Sequence, residues 1–153
     1  MLKTNSKAAK AAIREFIAAG AINWAKESNE YDRANGYEPM AEAVELENLA
    51  GKGKENKDVQ KAAAALVWAC FKNDKKGDKS LGHEPMQSIF KSWLCGLPGV
   101  VDSEEFLLRS AVDFIAGILQ ESEAEKARYS ETEAEDLAAY LIWREVSGLA
   151  RVE

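Results

Sequence analysis

In the segment Asn56-Lys57-Asp58-Val59-Gln60-Lys61-Ala62-Ala63-Ala64-Ala65-Leu66-Val67-Trp68-Ala69-Cys70-Phe71-Lys72-Asn73, the apolar residues Val59, Ala62, Ala63, Leu66 and Cys70 return at three- and four-residue steps. That is the spacing of one face of an α-helix, and it excludes the two-residue alternation of a half-buried strand. Alanine is the best helix former, and a run of four supplies intrinsic helix preference beneath the pattern. Asn56 stands where its side-chain oxygen can accept from the unpaired amides of the first turn. A helix over about 57–73 is therefore expected.

The same period extends in both directions. Upstream, Thr4-Asn5-Ser6 offers a cap for a helix carrying Ala9, Ile13, Phe16 and Ile17, with Gly20 either ending it or serving as a small contact within it. The polar stretch Glu27–Gly36 reads as a loop. Pro39 suits the first turn of a helix over about 38–50, which Gly51 and Gly53 terminate. Downstream, Asn73–Gly82 reads as a charged loop. A helix over about 83–95 stops at Gly96-Leu97-Pro98-Gly99. Asp102 or Ser103 caps a fifth helix, whose wide stripe of Leu107, Leu108, Ala111, Val112, Phe114, Ile115, Ile118 and Leu119 marks it as central. Ser130-Glu131-Thr132-Glu133 fits a capping box and opens a last helix with Leu137, Ala138, Leu141 and Ile142 facing inward. Strict alternation is absent, so the expected fold is all-α: a single compact bundle of about six helices. Its core is expected from the fifth and sixth helices and the Phe90–Pro98 segment.

One motif repeats. Gly36-Tyr37-Glu38-Pro39-Met40 returns as Gly82-His83-Glu84-Pro85-Met86, 46 residues later. Two helices that begin with the same proline device would explain it, and a duplicated helical hairpin is the sharper alternative.

Length and composition narrow the class. With 153 residues, 46% hydrophobic and 30% charged, the chain suits one domain able to bury a core without disulfides or metals. Its longest uncharged runs, Phe16–Ala25 and Ser92–Val101 for example, fall well short of the roughly 20 residues a membrane helix needs. Lys3, Lys7 and Lys10 would suit a secretory leader, but Arg14 and Glu15 break the apolar segment that would have to follow. A cytoplasmic protein is expected, with Cys70 and Cys95 as reduced, buried thiols. His83 is the one histidine, and with two cysteines it cannot make a zinc cluster. No phosphate loop, nucleophile elbow or His-Glu-x-x-His motif is present. Neither an enzyme nor a cofactor is expected. Oligomeric state is not fixed by the sequence.

Charge is uneven within a net −6. Residues 1–51 hold six Lys/Arg against eight Asp/Glu, residues 52–101 nine against five, and residues 102–153 five against thirteen. The middle is basic and the last third acidic. On the 57–73 helix, Lys57, Lys61, Trp68 and Lys72 share what reads as an outer face. Lysines tracking phosphates and an indole stacking on a base would make a nucleic-acid surface. A solvated face with Trp68 packed under lysine stems is the plainer reading. The acidic residues Glu121, Glu123, Glu125, Glu131, Glu133, Glu135 and Asp136 suit solvent and a helix N-terminus, with imitation of a phosphate backbone as a further alternative. Trp93, Leu97 and Pro98 at the helix stop could anchor a protein partner, or enter the core.

Phe90-x-x-Trp93-Leu94-x-Gly96-Leu97-Pro98, Arg109-Ser110-Ala111-Val112-Asp113, Ile118-Leu119-Gln120-Glu121-Ser122-Glu123, Ala127-Arg128-Tyr129-Ser130-Glu131-x-Glu133-Ala134-Glu135 and Tyr140-Leu141-Ile142-Trp143-Arg144-Glu145, in that order, resemble a family of small uncharacterised proteins, a domain of unknown function. Its members occur in phages and mobile elements of gut Firmicutes. The opening Leu2-Lys3-Thr4-Asn5-Ser6-Lys7 is similar too. The likeness covers about residues 88–147 and the first dozen. The family's pattern often has tyrosines after Asp102, where this chain has only Phe106, which tells against a stacking site there. The resemblance supplies no catalytic residue. It implies a small accessory protein that binds something: a host protein, a defence system or the element's DNA. The expectation that follows is a non-enzymatic protein binding a host or element protein through Trp93, Leu97, Pro98, Arg109, Asp113, Arg144 and Glu145.

Overall fold

The structure is a computed structural model, and it describes residues 7–75, 90, 91, 94, 115, 116 and 130–150. Every regular element among them is helical, as expected. They are α1 (Lys7–Ala34), α2 (Ala41–Leu49) followed by a 3₁₀ turn (Ala50–Lys52), α3 (Lys57–Lys75) and α4 (Glu131–Ala150). Phe90, Lys91, Leu94, Ile115 and Ala116 are helical too. The rest of the expected helices over 83–95 and 102–119, the Thr4–Ser6 cap and the second copy of the repeated motif lie outside the described residues.

α3 packs against α1, α2 and α4. Asn56 begins it as expected: its Oδ1 accepts from the amides of Asp58 (2.8 Å) and Val59 (3.3 Å). Gly53, at φ +91°, turns the chain out of the 3₁₀ segment toward this cap, a conformation only glycine adopts cheaply. Gln60 is buried and donates from Nε2 to the Lys54 carbonyl, closing the turn from inside. The helix continues through Asn73 to Lys75, so the expected loop does not begin at Asn73. α4 opens on Ser130, whose Oγ accepts from the Glu133 amide at 3.2 Å, one arm of the anticipated box.

Two buried clusters flank α3. One joins Ile13 and Ile17 of α1, Ala64, Val67 and Phe71 of α3, and Ala138, Leu141, Ile142 and Val146 of α4 with Phe90, Leu94, Ile115 and Ala116. The other joins Ala21, Trp24 and Ala25 of α1, Ala43 and Leu46 of α2, and Val59, Ala62, Ala63 and Leu66 of α3. The expectation of a core made by the later helices and the Phe90 segment is thus corrected. Those residues do share a cluster, but α1 and α3 build it with them and carry the second as well.

The Glu27–Gly36 loop is also corrected, because α1 runs unbroken through Gly20 to Ala34. The stripe Ala21, Trp24 and Ala25 continues into Ser28 and Asn29, and both polar residues are buried. Asn29 Nδ2 lies 3.1 Å from the Ala43 carbonyl and 3.3 Å from Glu47 Oε1, so this amide does the inward work of an apolar side chain. Arg33 Nη1 adds a 3.1 Å bond to the same Glu47. The start of α2 shifts as well. Met40 is extended (φ −61°, ψ 135°) and half-buried against the second cluster, so the helix begins only after it and Pro39 stays outside.

Asn56→Ala is expected to cost about 1 kcal/mol, since two amides lose their acceptor. Gly148 sits in α4 with nothing within 4 Å of where a Cβ would stand, so Gly148→Ala is expected to add about 0.5–1 kcal/mol. Urea unfolding of the two variants should move the midpoint in opposite directions.

Candidate binding surfaces

The residues expected to bind partners fall into three groups. Trp93, Leu97, Pro98, Arg109 and Asp113 lie outside the described residues. Arg144 and Glu145 are described, and they are not open surface. Glu145 is 3% exposed, and its carboxylate accepts from Arg14 Nε of α1 and from Arg144 Nε, each at 2.9 Å. A carboxylate this deep is stable as an ion only when paired, and two guanidiniums supply that pairing. Its place on the surface is corrected to an ionic tie between α1 and α4. The sequence offered one hint: Arg14 lies in α1 between Ile13 and Ile17, close to an inward-facing stripe.

Lys57, Lys61 and Lys72 are exposed, but Trp68 does not join them. Its ring is half-buried, 5.2 Å from Phe71, 6.2 Å from Phe90 and 5.7 Å from Trp143, centroid to centroid. Phe90 lies 5.3 Å from Trp143 and 5.2 Å from Phe71. Each such pair contributes about 0.5–1.5 kcal/mol beyond its buried area, so the indole is committed to the packing of α3 against α4. The outer-face placement of Trp68 is corrected on that ground: α3 has neighbours on too many sides to spare an aromatic face. Of the acidic segment, Glu133 and Asp136 are exposed, and Asp136 is paired with Lys91 at 2.8 Å.

Two features were not anticipated. Tyr31 and Tyr37 are the exposed large hydrophobics among the described residues, at 58% and 63%. Tyr31 lies in the last turns of α1 and Tyr37 in the turn that joins α1 to α2. That turn is tightly bonded: the amides of Asn35, Gly36 and Tyr37 donate to Tyr31, Arg33 and Asp32 carbonyls respectively, the last at 2.8 Å, and Asn35 Nδ2 donates to the Tyr31 carbonyl at 2.8 Å. Gly36, at φ +75°, makes the reversal possible. The signal was present in Gly36-Tyr37-Glu38-Pro39-Met40, which was read for its proline rather than its tyrosine. The second feature is a cleft of about 320 Å³ between the Lys7 end of α1 and the start of α3, with Lys7, Lys10, Arg14 and Lys57 on its walls.

No group of three or more His, Cys, Asp or Glu among the described residues is placed to hold a metal ion, and no described helix is long and apolar enough to cross a membrane. No family model, curated protein or solved structure matches the chain. The resemblance drawn from the later motifs therefore rests on those residues alone.

Glu145→Ala is expected to destabilise the protein by about 2–3 kcal/mol, because it strands two partly buried guanidiniums. Arg14→Ala should cost distinctly less, since Arg144 still faces the carboxylate. Chemical denaturation of both variants checks the order, and equal losses would show that the carboxylate is not the hub of the tie.

Proposed function

We propose that this chain is a non-enzymatic accessory protein that binds another protein, and that the Tyr31–Tyr37 turn is part of the binding surface. One observation carries the reading: two exposed tyrosines on a turn whose backbone is already fixed by hydrogen bonds. Tyrosine is enriched at binding hot spots because it offers a large amphipathic surface with few rotors to freeze. Holding it on a rigid turn reduces the ordering cost of association further. The resemblance noted above adds the context of a phage or mobile element, with a host or element protein as the partner. Trp93, Leu97, Pro98, Arg109 and Asp113 stay in the proposal as a second surface. A second reading, association with nucleic acid, is supported by the exposure of Lys57, Lys61 and Lys72 and weakened by the packing of Trp68.

The test uses the tagged full chain, crosslinked in lysate of its source cells with and without nuclease treatment. Wild type should retain a discrete protein at a saturable level, and Tyr31→Ser/Tyr37→Ser should weaken that retention at least about tenfold while circular dichroism stays unchanged. Undiminished retention by the double variant would remove the tyrosine turn from the proposal. Trp93→Ala/Leu97→Ala then decides whether the second surface replaces it. Retention that disappears on nuclease treatment would favour the nucleic-acid reading.

A further inference from the structure

Lys7, Lys10 and Arg14 stand at three- and four-residue steps on one face of α1, and Lys57 opens α3 across from them. Together they wall the cleft of about 320 Å³, with Ala11, Gln60 and the carboxylates of Glu15 and Glu55 also in its lining. Lys7, Lys10 and Lys57 make no ion pair among the described residues, although two carboxylates line the same cleft. Arg14 is held differently. Its Nε bond to the buried Glu145 anchors the guanidinium at the wall. The positive end of the α3 macrodipole adds to the same field, although Asn56 already satisfies two of its amides.

We infer that this cleft binds a phosphate group. Three ammoniums without ion-pair partners among the described residues and one fixed guanidinium, from two helices, line a space at the lower end of small-molecule sites. Lysine and arginine together are the usual phosphate-binding pair, one as a mobile point charge and the other as a planar fork. Glu15 and Glu55 limit the excess positive charge, which suits a single phosphate better than a long polyanion. Among the described residues no aromatic ring lines the cleft, so they offer the base of a nucleotide nothing to stack on, and recognition rests on the phosphate itself. That phosphate can be carried by a free small molecule or by a nucleic-acid backbone. The inference does not depend on the tyrosine turn, whose failure would leave it standing.

The experiment is an amide-resolved NMR titration of the full chain, at matched ionic strength, with inorganic phosphate and separately with a single-stranded thymidine dodecamer. Signals of residues 7–15 and 55–60 should move saturably with one probe or both. Lys7→Gln/Lys10→Gln/Lys57→Gln should weaken that response about tenfold or more, while Lys61→Gln/Lys72→Gln, which leaves the cleft intact, should stay within about twofold of wild type. Response to phosphate and to the oligonucleotide, with mutual competition, supports a phosphate site open to both sources. Response to inorganic phosphate alone assigns it to a free molecule, and response to the oligonucleotide alone assigns it to a backbone. The inference is overturned if neither probe moves these signals, or if the Lys61/Lys72 variant loses as much as the cleft variant, since diffuse surface charge would then explain the binding.

Discussion

The packing of α3 on three sides constrains everything else that the structure describes. A helix with three helical neighbours cannot keep a wide polar face, and the Ala62-Ala63-Ala64 run meets that demand with small side chains. Ala62 and Ala63 belong to the cluster with α1 and α2, and Ala64 to the cluster with α4. Large residues on α3 are then confined to positions where a gap exists. Phe71 and Trp68 fill the one toward Phe90 and Trp143, and Leu66 fills the one toward Trp24 and Leu46. The lysines are left with what remains, which is why Lys57, Lys61 and Lys72 are exposed while the indole between them in sequence is half-buried.

Two polar contacts fix the long helix α1 against its neighbours. Near one end, Arg14 reaches the buried Glu145 of α4. Near the other, Asn29 and Arg33 reach Ala43 and Glu47 of α2. Apolar packing along α1 is permissive about rotation and sliding, because alanine-rich faces present little relief. Directional bonds at both ends set the register that such faces leave loose. A buried ionic cluster adds little net stability over well-packed apolar residues replacing all of its members together, so its value here lies in placement rather than in strength.

What could be read from the sequence follows from this division. Periodicity and caps announced the helices, and Asn56 and Ser130 hold amides where they were expected to. Periodicity failed where a polar side chain occupied an inward position. Asn29 and Glu145 look like surface residues until a partner from another helix is placed opposite them, and no single-chain pattern supplies that partner. Trp68 failed for the converse reason: its spacing from Lys61 and Lys72 is compatible with one face, and only the arrival of Phe90 and Trp143 assigns it to the interior. Tyr31 is hidden by the loop assignment, since residues in a presumed loop carry no prediction of which way they point, and Tyr37 by a motif whose proline draws the reading. The cleft lay beyond the sequence altogether, because it needs Lys10 and Lys57, 47 positions apart, to be brought to one place by the packing of α1 on α3.

That same packing keeps the two proposed surfaces apart. Lys10 and Tyr31 are separated along a single helix by 21 residues, which at about 1.5 Å per residue is roughly 30 Å. No charge interaction between exposed groups survives that distance at physiological salt, where screening acts within about 8 Å. Coupling would have to pass through α1 as a rigid body. A helix pinned at Arg14 and again at Asn29 has little freedom to transmit a shift. Occupation of the cleft and occupation of the turn are therefore independent events in this geometry. Such a molecule could hold a protein at one end and a phosphate-bearing ligand at the other without either changing the affinity for its counterpart. It would act as a tether rather than a switch.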